Sequence, residues 1–269
     1  MDTMLKKSTS GLYRLWVEHL SQAQGQPLRM FCFPYAGGNP NVFRSWRRQF
    51  PAEVDICLVH LPGHGKRIGE RLFTRLKFLV EEIADVIFTE SPDPFVLYGH
   101  SMGALISFEL ARELRRRHSI GPRQLFLSGV RAPTAPRCKG LTFDLPDDEF
   151  IAELRRLNGT PPELLDVPDA RDFFLPRLRA DFEVVDTYVY EAEEPLSCPI
   201  TVYGGLDDEF VSLEHLREWQ KQTSAPCKQN MFPGDHFFIH NSQSAFISVL
   251  RKDVLTALYG SSFRDVSRR

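Results

Sequence analysis

The chain has 269 residues, in which 33 lysines and arginines stand against 35 aspartates and glutamates for a net charge of −2. That balance leaves no basic stripe for nucleic acid, and 42% hydrophobic with 25% charged residues describes a globular protein rather than a disordered or fibrous one. No run approaches the ~18 apolar residues of a membrane span, so neither nucleic acid nor membrane is expected as a partner.

In chain order, the N-terminal stretch lacks the apolar segment of a signal peptide and is assigned no structure. Short apolar runs over 28–33, 56–61, 95–98, 124–128, 200–203 and 228–232 read as buried strands. Between them, helical spacing appears over 77–88, 102–117, 213–221 and 244–258. This alternation predicts an α/β fold with a mainly parallel sheet flanked by helices, one domain over 1–269. It fails over about 140–194, where helical patterns at 147–157 and 169–188 follow one another around Thr160-Pro161-Pro162. We expect this segment to be a helical lid inserted in the domain.

Chemistry concentrates at strand ends. Gly99-His100-Ser101-Met102-Gly103 joins the 95–98 strand to the 102–117 helix. A turn that lifts a serine hydroxyl above a sheet strains the backbone, and glycines on both sides remove the Cβ clashes. Ser101 is therefore the expected nucleophile, the defining feature of an α/β-hydrolase fold. The order serine, acid, histidine then assigns the acid to Gly204-Gly205-Leu206-Asp207-Asp208 and the base to Phe232-Pro233-Gly234-Asp235-His236. We expect Asp207 as the acid, Asp208 lying one step further along the turn, and His236 as the base, with His240 as its rival. An oxyanion hole is expected from the N–H of Met102 and that of Tyr35 or Ala36, in the glycine-rich turn after the first strand. Phe150, Leu154, Phe173, Phe174, Leu178 and Phe182 recur at near-helical spacing in the insertion and are expected to line a substrate channel, packing within the lid being the competing explanation. Gly63–Gly69 is too loosely spaced for a dinucleotide loop, and the basic run Arg112, Arg115, Arg116 and Arg117 sits at a helix end, where cations complement the dipole. The five cysteines lack paired spacing, so no metal site is expected and the cytoplasm is the expected compartment.

The sequence closely resembles the type II thioesterases, stand-alone editing hydrolases of polyketide synthase and nonribosomal peptide synthetase pathways. The resemblance rests on Phe31-Cys32-Phe33-Pro34-Tyr35-Ala36-Gly37-Gly38, Leu61-Pro62-Gly63 with Arg67, the Ser101 pentapeptide, Leu145-Pro146-Asp147, Gly159-Thr160-Pro161-Pro162, the stretch 175–182, Cys198-Pro199-Ile200, Gly204-Gly205-Leu206-Asp207 and Gly234-Asp235-His236-Phe237-Phe238. His64 departs from it, since arginine usually follows Leu-Pro-Gly in that family. The resemblance implies hydrolysis of acyl thioesters on the phosphopantetheine arm of an acyl or peptidyl carrier protein, with Ser101, Asp207 and His236 as the triad. No cofactor is implied, because the substrate carries the phosphopantetheine, and a monomer is expected. The competing readings are a medium-chain fatty acyl thioesterase, a small-molecule carboxylesterase with the same triad, and a noncatalytic binding module on the same fold.

Overall fold

The computed structural model describes residues 11–20, 27–90, 94–136 and 140–260. Among these residues seven strands form one sheet: β1 (Val17–His19), β2 (Leu28–Phe33), β3 (Val54–Val59), β4 (Phe95–His100), β5 (Leu125–Ser128), β6 (Ile200–Gly205) and β7 (Cys227–Phe232). Their spatial order is β1-β3-β2-β4-β5-β6-β7, every pairing parallel except that of β1 with β3. All residues of β3, β4, β5 and β6 are buried. Continuous apolar strands of this kind require cover on both faces.

Alternation along the strands divides that cover. Phe31 and Phe33 of β2 enter one core with α1 (Leu76–Glu90) and α2 (Met102–His118). Met30 and Cys32 enter the other, with Phe43 and Trp46 of a 3-10 helix at Pro40–Arg48 and Phe246, Leu250 and Val254 of a C-terminal helix. The predicted α/β-hydrolase arrangement is therefore present. The edge strand β1, to which sequence reading assigned nothing, extends it.

Between β5 and β6 the chain leaves the sheet for α3 (Asp147–Leu157), α4 (Pro162–Asp166) and α5 (Pro168–Asp186). Acidic Asp147, Asp148 and Glu149 open α3, Arg155 and Arg156 close it, and Asn158 caps it in the left-handed region, so both ends suit the helix dipole. Pro162 and Pro168 stand in the first turns of α4 and α5, where a missing N–H costs nothing. The three helices share a small core of Phe150, Leu154, Leu165, Leu175 and Leu178. After β6 come α6 (Leu213–Arg217), α7 (Phe238–Asn241) and the C-terminal α8 (Gln243–Tyr259).

Candidate active site

Ser101 sits between β4 and α2 with φ 54° and ψ −117°, a conformation that side chains rarely adopt. Close packing explains the flanking glycines. A Cβ on Gly99 would lie 2.0 Å from the Gly103 carbonyl oxygen, and one on Gly103 would lie 2.1 Å from that of Phe33. The Ser101 N–H is anchored on the Ser128 carbonyl at the end of β5, at 2.7 Å. These constraints hold the hydroxyl above the carboxyl ends of the strands.

His236 lies in the loop after β7, buried, with Nε2 3.0 Å from Ser101 Oγ. Its Nδ1 donates to Asp208 Oδ2 at 2.8 Å, so that in the neutral ring Nε2 carries the lone pair that can accept the serine proton. The side chain of Asp208 is 0% exposed, and its Oδ1 accepts from the N–H groups of Phe210 (2.8 Å) and Val211 (3.1 Å). This corrects the expectation for the acid. Asp207 is exposed and, among the described residues, its carboxylate reaches only the Gly234 N–H, at 3.3 Å. The cause is the length of β6, which runs to Gly205 rather than stopping at Tyr203, so that the turn delivers Asp208 inward and Asp207 outward. His240, the rival base, hydrogen-bonds the Tyr35 hydroxyl at 3.1 Å. His100, next to the serine, is fully buried, bonds Ser128 Oγ at 2.9 Å and has its pKa lowered by desolvation and by the charges of His236 and His240.

Met102 stands at the first position of α2, where an N–H has no partner within the helix. Opposite it, the Gly37 N–H is taken by Asp181 Oδ2 (2.7 Å) and the Gly38 N–H by the Tyr35 carbonyl (2.8 Å). In a trans peptide the N–H opposes the C=O, so this second bond turns the Ala36 N–H away from Gly38. Tyr35, Ala36, Ser101 and His236 all line one cleft of about 200 Å³. Its other walls include Leu154, Leu157, Phe182, Val185, Phe210 and Phe237, with Arg131, Glu153 and Asp186 adding polar groups.

The expected channel residues separate into three groups. Leu154 and Phe182 line this cleft. Phe174 and Leu178 line a neighbouring one of about 100 Å³, bounded by Gly37, His64 and Arg177. Phe150 and Phe173 line neither: Phe150 is fully buried against Phe182, and Phe173 is 47% exposed under the Arg177 guanidinium. Helical spacing marks every apolar face alike, and α3 and α5 use part of theirs to pack on one another. Sequence reading missed Asp181 and His64, which join through His64 Nε2 and Asp181 Oδ2 at 2.8 Å.

The remaining features carry structure. Gly65–Arg67 forms a 3-10 turn, not the helix a dinucleotide loop needs. The basic run on α2 is paired: Arg112 with Glu109 and Glu193, Arg115 with Glu193, Arg116 with Glu113 and Glu193, and Arg117 with Asp85. Cys32, Cys57, Cys198 and Cys227 are free, and Cys138 lies outside the described residues. Among the described residues, the potential metal ligands that converge are His19, Asp55 and Cys57 at the β1–β3 edge, already hydrogen-bonded to one another. No described helix is long and apolar enough to cross a membrane.

Comparison with known proteins gives a consistent result. The model of the thioesterase domain matches residues 28–254. The gramicidin S biosynthesis protein GrsT of Aneurinibacillus migulanus is 42% identical over 243 residues, 90% of this chain and 95% of GrsT. Thioesterase PikA5 of Streptomyces venezuelae is 32% identical over 230 residues, 84% of this chain and 81% of PikA5. Among solved structures, the type II thioesterase BorB from the borrelidin biosynthetic cluster superposes with a TM-score of 0.80 at 29% identity, covering 88% of this chain and 97% of BorB.

Proposed function

Because this chain belongs to the thioesterase family, we propose that it is a type II editing enzyme, which hydrolyses short acyl thioesters from the phosphopantetheine arm of acyl or peptidyl carrier proteins in polyketide or nonribosomal peptide biosynthesis. The observation that carries this reading is the Ser101–His236–Asp208 chain opening into a small apolar cleft roofed by α3 and α5. At about 200 Å³ the cleft falls below the roughly 300–1,000 Å³ of sites for drug-sized ligands. It suits a short or stalled acyl unit better than a finished product.

In the reaction, His236 Nε2 takes the Ser101 proton as Oγ attacks the thioester carbonyl. The oxygen that becomes negative is met by the N–H groups of Met102 and Ala36. Collapse expels the pantetheine thiolate, which takes the proton from His236 and leaves an acyl-serine. A water activated by the same histidine then releases the carboxylic acid. Asp208 stabilises the imidazolium formed in each half-reaction. The insertion over about 140–194 serves as a lid, which excludes bulk water while Ser101 is acylated.

The test is incubation of the enzyme and its Ser101→Ala variant with a panel of acylated carrier proteins, followed by mass spectrometry of the phosphopantetheine arm. Loss of short acyl groups with the wild type alone is expected. Inert acylated carriers, with rapid turnover of matched oxygen esters, would refute the reading.

A further inference from the structure

We propose that His64 and Asp181 are positioning residues for this reaction: a buried ion pair through which the roof helix α5 holds the Gly37 turn, and with it the Ala36 amide, in place to receive the oxyanion. The inference rests on the thioesterase reading above.

Hydrogen-bond counting sets the charge on the pair. His64 Nδ1 faces the Pro62 carbonyl at 3.0 Å and Nε2 faces Asp181 Oδ2 at 2.8 Å. Both partners only accept, so both ring nitrogens must donate and the ring is an imidazolium. The two side chains are 9% and 7% exposed. Burial disfavours the charged ring, but the charge and hydrogen bond of Asp181 and the Pro62 carbonyl outweigh it, and the His64 pKa is raised. Of the charged groups around His64, Asp181 and Arg177 both come from α5. Arg177 opposes the rise in the His64 pKa while bonding the Phe173 and Ile68 carbonyls. Arg67 turns away to Glu70 and the Trp16 ring. The other residues of the adjoining cleft, among them Asn39, Ile68, Leu164, Phe174 and Leu178, are uncharged.

The same Asp181 oxygen accepts the Gly37 N–H. Gly37 has φ +72°, and a Cβ there would meet Leu178 Cδ2 at 2.3 Å, so α5 rests directly on the turn. Asp181 and Leu178, three apart on one helix face, thereby fix the Ala36–Gly37 peptide, while the Gly38 to Tyr35 bond fixes the Tyr35–Ala36 peptide. Loss of the His64 proton would remove the cation beside this carboxylate and one of the ring's two donated bonds, leaving a buried, unpaired charge under the turn. The helix would then hold the turn less firmly, whereas the nucleophile and base, which share no bond with the pair, would stay in place.

The experiment compares wild type, Asp181→Asn, His64→Gln and His64→Arg on an acyl-N-acetylcysteamine thioester and on a matched p-nitrophenyl ester. Melting temperature and inhibition by a trifluoromethyl ketone analogue, whose adduct places an oxyanion in the hole, are read alongside. Asp181→Asn and His64→Gln should lower kcat about 10- to 100-fold with KM little changed, less than the roughly 10²–10³ lost when an oxyanion-hole donor is removed outright, because here the donor is loosened and not deleted. The analogue's inhibition constant should rise in step with the loss in kcat/KM, a proportionality that mere loosening of structure would not produce. Wild-type kcat should decline on the alkaline side as His64 titrates, and His64→Arg, whose charge persists, should abolish that decline. Wild-type activity on the ester alone, with the variant losses intact, would refute the thioesterase reading and uphold the positioning role. Thioester turnover within twofold of wild type in Asp181→Asn, or a change confined to KM, would overturn the positioning role.

Discussion

Replacing Asp208 with asparagine tests the assignment of the acid most sharply. Asp208 Oδ1 is held by the Phe210 and Val211 N–H groups, so the asparagine carbonyl must keep that place and its amide NH2 must face His236 Nδ1. Nδ1 then becomes an acceptor and the ring proton moves to Nε2, aimed at Ser101 Oγ, where it cannot take the serine proton. Wrong-tautomer substitutions of this kind cost about 10⁴ in kcat, roughly 5 kcal/mol of transition-state stabilisation. Asp207→Asn removes only an exposed charge, its carbonyl still able to accept the one 3.3 Å bond from the Gly234 N–H, and should leave kcat within about twofold, as expected of surface substitutions. The assay is kcat on an acyl-N-acetylcysteamine thioester, with circular dichroism to show that both variants fold. An Asp207→Asn defect as large as that of Asp208→Asn would refute the reasoning.

Other outcomes follow from neighbouring features. Gly103→Ala should lower stability by at least ~2 kcal/mol in urea unfolding, because its Cβ would lie 2.1 Å from backbone that cannot move aside; an unchanged midpoint would contradict this. Phe182→Ala should widen the cleft and raise the relative kcat/KM for longer acyl chains about tenfold, whereas Phe150→Ala should cost ~3–5 kcal/mol of stability and leave chain preference alone. Equal shifts in preference would mean that both phenylalanines line the cleft. For His64 the folded pKa lies above the unfolded one, so its stabilisation is complete below the ordinary histidine value and is lost as pH rises through the raised value. The melting temperature should fall over that interval in the wild type and less steeply in His64→Gln; parallel curves would count against the ion pair.

The sheet and two members of the site were legible in the sequence because their causes are local. Buried parallel strands announce themselves as apolar runs, and the Ser101 turn needs glycines wherever it occurs. The acid was misplaced by one residue, since nothing local reveals that β6 continues through Gly204 and Gly205 before it turns. Strand β1 escaped because it is three residues long and is defined by its partner β3 rather than by any pattern of its own. Phe150 and Phe173 were assigned to the channel because spacing identifies a helix face without revealing what it meets. The link from His64 to Asp181 joins residues 117 apart in sequence and could emerge only from the fold.

The backbone of Ser101 carries a further consequence. A left-handed angle at a non-glycine residue holds of order 1–3 kcal/mol of strain, retained here because the Ser128 carbonyl and the start of α2 leave the residue nowhere else to go. Glycine at this position would relieve the strain and abolish the nucleophile in one step. Robustness and competence therefore oppose each other at a single codon. A library selected for heat tolerance alone would drift toward the inert protein, and only selection that also demands turnover keeps the serine.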